Sequence, residues 1–190
     1  MRRLRRKAQA ALRRDIWRIE GVLLFMRFII ADIPGAEVRR LYPGDENYIL
    51  AEDECDAHPC IGCMKCWISN LSDCVIRDGF SGMIEKFRTC SELVILSKCV
   101  YGGFSPFVKN AVDRLFPIFF HSLEIRDGNT AFLSGVGNPL TMTVCLYNAR
   151  DKNEEHTAED YARHLAASFE ASEISVAFFE NVTMMEGGDE

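Results

Sequence analysis

No stretch of the 190 residues approaches the roughly 20 consecutive apolar positions that a bilayer-spanning helix needs. The one early apolar run, residues 22–30, is broken by Arg27, and no small-residue cleavage pattern follows it, so it does not read as a secretory signal. Histidine is scarce, four in all, and His58, His121, His156 and His164 form no site. Neither a Ser-His-Asp arrangement nor a Walker-type phosphate loop occurs. Positive charge is scarce outside the N-terminus. Formal net charge is −6, and residues 1–27 hold nine Lys or Arg against two acids, which leaves −13 for the rest. A nucleic-acid backbone is gripped by clustered cations, so an acidic body excludes it as an expected partner.

Cysteine, by contrast, is plentiful. Eight occur in a chain too long to depend on disulfide staples, and with no secretory signal they read as thiols of a reducing compartment, the cytoplasm. Their usual work there is metal binding and redox chemistry. Apolar content of 48% and charged content of 26% suit a globular domain of ordinary size.

Residues 1–25 differ from everything after them. Leu4, Ala8, Leu12, Ile16, Ile19 and Leu23 recur at steps of three and four between arginines, the pattern of a basic amphipathic helix. It suits an anionic membrane surface or acidic partner, or a solvated extension ahead of a natural start at Met26. From there the expected domain, residues 26–190, alternates strand and helix. Strands are expected over 26–32, 47–51, 92–99, 141–147 and 174–180. Helices are expected over 81–90, from a Ser105 cap with Pro106 in its first turn, and from a capping box at Thr157 to about 171. The Asp-Gly within 124–132 marks a small hairpin. Alternation of this kind gives a three-layer α/β fold, a doubly wound parallel sheet of five strands in the flavodoxin-like order 2-1-3-4-5. Ligands then sit beyond the carboxyl ends of the strands, near Asp32, Cys99 and Tyr147.

The strongest local signal is CIGCMKC, which supplies Cys60, Cys63 and Cys66, with Cys74 further on. Two-residue gaps put successive thiolates on one side of a turn, and Gly62 lets the chain fold that tightly. Four converging thiolates suit a [4Fe-4S] cubane, each cysteine taking one corner. A zinc ion is the alternative, although structural zinc usually draws ligand pairs from two separated turns. Reduced, unliganded thiols or a dithiol remain a third reading. His58 lies close enough in sequence to tune this segment. Asp78 is expected as a helix cap, and Cys55, Cys90 and Cys145 as buried small hydrophobes.

A second signal, SKCVYGGFSP at residues 97–106, ends the most apolar strand and enters a helix. Gly102 and Gly103 permit close backbone approach to a planar ligand, beside Cys99, Tyr101 and Phe104. The helix that follows carries Lys109, Asp113 and Arg114.

Taken together, CIGCMKCW, CVIRDG and SKCVYGGFSPFVKNAVDR resemble the NADPH-dependent FMN reductase and iron–sulfur flavoprotein family of the flavodoxin-like proteins. The resemblance covers about residues 26–180. It implies cluster ligation by Cys60, Cys63, Cys66 and Cys74, and a flavin loop at Tyr101, Gly102 and Gly103. Lys109, Asp113 and Arg114 match the family's helix signature. The implied activity is a flavin-dependent oxidoreductase taking electrons from a reduced nicotinamide or ferredoxin-type donor, in a homo-oligomer. One departure stands out. The family's phosphate-binding loop after the first strand is replaced by IPGAEVRR, residues 33–40, which has no hydroxyl-rich or Gly-rich cradle. Arg39 and Arg40 are then the candidates for holding an FMN phosphate. The alternative is a non-enzymatic zinc or cluster module on a scaffold that no longer takes FMN.

Overall fold

The structure, a computed structural model, describes residues 26–68, 73–126, 128–136 and 139–187. The helix expected over residues 1–25 lies outside them. Five strands, β1 (Arg27–Ala31), β2 (Tyr48–Ala51), β3 (Glu92–Lys98), β6 (Thr141–Tyr147) and β7 (Glu173–Phe179), form one parallel sheet in the order β2-β1-β3-β6-β7. Between β3 and β6 the chain makes an antiparallel hairpin of β4 (Phe119–Arg126) and β5 (Asn129–Ser134). With those two strands set aside, the sheet order is the expected 2-1-3-4-5.

The central strands are apolar at every step because both their faces are covered. Phe28, Ile30, Leu93 and Ile95 point into the larger core, against helices α3 (Met83–Thr89), α4 (Pro106–Arg114) and α5 (Lys152–Ser168). Ile29, Ala31, Val94 and Leu96 point the other way, against Val38 and Leu41 of α1 (Gly35–Leu41) and against Val182 and Met185. All eight strand side chains are 0–1% exposed. This is a three-layer α/β domain.

Three local expectations are corrected. The cap of α5 lies six residues earlier than Thr157: Asp151 accepts from the amides of Asn153 and Glu154, both at 2.9 Å. The Thr157 hydroxyl instead donates to the Asn153 carbonyl at 2.9 Å. Ser105 does precede α4, but its side chain makes no capping hydrogen bond, and its amide donates to the Ser97 hydroxyl at 2.9 Å. The hairpin is also longer than its Asp-Gly turn suggested. Aromatic packing extends it: Phe132 meets Phe116 at 5.7 Å and Trp67 at 5.8 Å, while Phe119 stacks on Phe169 at 5.6 Å. Trp67 belongs to the short α2 (Lys65–Ile68), so this cluster ties the cysteine segment to the hairpin.

Candidate functional site

The cysteine segment is irregular chain, and α4 holds it in place. The Cys60 amide donates to the Asn110 side-chain oxygen at 3.0 Å, and the Asn110 amide group donates to the His58 carbonyl at 3.1 Å. Beneath them lies Arg114, whose guanidinium donates to the His58 carbonyl and to Asp78, each at 2.9 Å, and to the Ile76 carbonyl at 3.3 Å. A second nitrogen reaches the other Asp78 oxygen at 3.0 Å, so the pair is bidentate. Asp78 also accepts from the amides of His58 at 2.9 Å and Phe80 at 3.0 Å. Its side chain is 4% exposed and that of Arg114 is 1% exposed. The expected role of Asp78 as a helix cap is therefore corrected: it is half of a buried ion pair that anchors both flanks of the cysteine segment. Lys109 and Asp113, one residue off that face, make only an exposed ion pair.

Within the segment, Gly62 and Met64 both adopt left-handed backbone, at φ 65° and 57°. These reversals turn the chain between one cysteine and the next, and at Gly62 the left-handed region costs least. Cys60 and Cys63 are exposed, Cys66 and Cys74 half-buried, and all are free thiols. Burial pushes the Cys66 thiol up, and the neighbouring Cys74, Cys60 and Cys63 push it further. The other three thiols thus lie near enough to Cys66 to act on it. Cys74 and Cys60 also face the charge of Arg114. Among the described residues, no three His, Cys, Asp or Glu groups are drawn up closely enough for a single ion. The remaining cysteines differ. Burial raises Cys90 to about 12 and Cys145 to about 11, and pushes Cys99 up as well. Cys90 and Cys99 are buried, whereas Cys55 and Cys145 are only half-buried, against expectation.

The loops at the carboxyl end of the sheet form the second region. Val100 and Gly103 exchange two backbone hydrogen bonds of 3.0 Å, closing a tight turn with Tyr101 at φ 53° and Gly102 at φ 75°. The turn thrusts Tyr101 outward, 81% exposed, with the Arg150 guanidinium 4.7 Å from its ring centre. Phe104 instead turns inward onto Tyr161 at 5.0 Å. Glu154 binds the two loops together. It accepts from the Arg150 amide at 2.6 Å and from the Arg150 guanidinium at 3.2 Å. Those bonds, with one from the Gly102 amide, hold its carboxyl below the usual range. Nothing in the sequence pointed to Glu154 or Arg150, because the partners they join are far apart along the chain.

The third region is the entrance to α1, where the resemblance implies a phosphate. Asp32 accepts from the Lys98 amide at 2.8 Å and from the Tyr147 hydroxyl at 3.0 Å. Asp53 accepts from the Gly35 amide at 2.9 Å. Glu54 takes both arms of Arg39, at 2.6 and 2.7 Å, so Arg39 is an internal ion-pair partner and the expectation that it holds a phosphate is corrected. With the Gly35 amide held by Asp53 and Arg39 held by Glu54, this entrance does not fit an FMN phosphate.

No protein-family profile matches the chain, and no curated protein matches it in sequence. Solved structures do match in fold. The azoreductase from Bacillus anthracis str. Sterne superposes with a TM-score of 0.52 at 12% identity, over 80% of this chain and 85% of that one. NAD(P)H:quinone oxidoreductase from Methanothermobacter marburgensis gives 0.54 at 8% identity, over 85% and 92%. The fold is therefore flavodoxin-like. Among the described residues, no helix is long and apolar enough to cross a membrane.

Proposed function

We propose that the chain is a flavin-dependent oxidoreductase whose single-electron centre is built on Cys60, Cys63, Cys66 and Cys74. The observation that carries this reading is the gathering of the four thiols over the buried Arg114, on a fold shared with an azoreductase and a quinone oxidoreductase. A [4Fe-4S] cluster, when bound, exchanges one electron at a time, which complements a two-electron carrier such as a reduced nicotinamide. A ferredoxin-type donor would meet the exposed side of the same segment, where Cys60 and Cys63 lie. Structural zinc usually draws ligand pairs from two separated turns, whereas Cys60, Cys63 and Cys66 come from one short run, which suits a group with four separate corners. Arg114 supplies fixed positive charge beside Cys60 and Cys74. Tyr101, with Arg150 over its ring, offers a flat platform for a planar ring. A homo-oligomer completes the proposal, since Ile61, Ile68, Leu123 and Ile125 are large apolar side chains left exposed.

A second reading is a non-enzymatic zinc or cluster module, and the acidic entrance to α1 favours it. Anaerobic loading with iron and sulfide, followed by iron analysis and nicotinamide oxidation with added flavin, separates the two. The oxidoreductase reading expects about four irons per chain, their loss in Cys66→Ser, and turnover that requires flavin. Uptake of one zinc, no iron and no turnover contradicts it.

A further inference from the structure

The geometry at the β1–α1 junction points to a flavin site that refuses phosphate, so that the ligand class of this chain is an unphosphorylated flavin such as riboflavin. The inference rests on the flavin-dependent reading above and narrows it. In parallel α/β sheets an anion is received by free amides at a helix start, helped by the helix dipole. Here several of those donors are already taken by the chain's own oxygens. The Gly35 amide is held by Asp53, and the amides of Glu37 and Val38 turn back to the Pro34 carbonyl at 2.9 and 3.1 Å. Pro34 itself has no amide hydrogen to offer. Across the switch point, the Lys98 amide is held by Asp32.

Space and charge agree with the donor count. The Glu54 carboxylate lies so close over Gly35 that a Cβ there would stand 2.3 Å from its oxygen, so a phosphate against the backbone would have to displace that side chain. Arg39, on the same helix, is bound bidentately by that same Glu54. With Asp32, Asp53, Glu54 and Glu37 around the entrance, a phosphate dianion would meet several carboxylates. The Tyr147 hydroxyl records that field: burial, then the charges of Asp32 and Glu52, push it well above the usual tyrosine range. The ring end of a flavin, which carries no phosphate, would lie at Tyr101, Gly102 and Gly103 beside Arg150. The Asp53 carboxylate has in effect taken over the work of a bound phosphate at this helix start.

The test is flavin-fluorescence titration of the full chain with riboflavin and, separately, FMN, at low and high salt, and again with the double variant Asp53→Asn, Glu54→Gln. Riboflavin is expected to bind at least about tenfold more tightly than FMN, as one like-charge pair near contact already warrants. The gap should narrow in high salt and in the double variant. FMN binding as tightly as riboflavin overturns the inference while leaving the flavin-dependent reading intact. If neither flavin binds the unaltered chain, the flavin-dependent reading fails. In that event FMN binding gained by the double variant still supports phosphate exclusion, and no gain overturns it too.

Discussion

Arg114 and Asp78 are side chains 36 positions apart that meet where almost no water reaches them. Breaking such a pair from one side leaves an uncompensated buried charge, at a cost of about 3–5 kcal/mol. Arg114→Met is therefore expected to lower stability by that order in chemical denaturation, and the double variant with Asp78→Asn to lose less than the two single changes added together. The pair also predicts a pH dependence. Burial by itself would push the Asp78 carboxyl up, yet hydrogen bonds from Arg114, His58 and Phe80 hold it below its ordinary value of 3.8. A carboxylate depressed in the folded state stabilises above its unfolded value and loses that contribution as pH falls through the lower folded one. Stability should thus drop steeply below about pH 4, and Asp78→Asn should flatten that slope. An unchanged slope would mean that another carboxylate governs acid unfolding. At this scale the sequence was least informative. Cys60, Cys63, Cys66 and Cys74 announced themselves by spacing, whereas Asp78 read as a cap because its partner could not be seen. Arg39 read as an available cation for the same reason, since Glu54 reaches it only in the folded chain.

Elements were far more legible, and the misses share a cause. The strands were readable because burial on both faces demands unbroken apolar runs, so β3 and β6 emerged within a residue of their observed limits. The start of α5 was missed because two helix-start patterns compete, and Asp151 wins by reaching two amides with one oxygen. Asp151→Ala is expected to cost about 1 kcal/mol, measurable as a lowered denaturation midpoint. The Tyr101–Gly102 turn was foreseen as a place of close approach, but the neighbour proves to be α5 itself. A Cβ on Gly102 would stand 2.6 Å from the Thr157 side chain, on backbone at φ 75°. Gly102→Ala should then destabilise by about 1–3 kcal/mol and weaken flavin binding as the turn shifts. Full-strength flavin binding in that variant would remove the turn from the site.

Over the whole molecule, the topology gathers what the chain keeps apart. The loops after β1, β3 and β6 meet at one end of the sheet because all five strands run parallel. The order of that sheet was expected from strand–helix alternation together with five strands at this chain length, and the hairpin between β3 and β6 enters without disturbing it. What sequence could not convey is the chemical character of each loop. The turn at Tyr101 presents an aromatic platform with Arg150 over its ring, while the start of α1 presents carboxylates, and both follow from contacts made across the fold. These two regions, with the cysteine segment held on α4, make up the oxidoreductase proposed above. Its most direct test is the visible absorption spectrum of the full chain, loaded anaerobically with iron, sulfide and riboflavin and freed of excess, before and after dithionite. Resolved flavin bands over a broad sulfur-to-iron absorption, all bleaching on reduction, are the predicted result. A chain that emerges colourless would contradict the account.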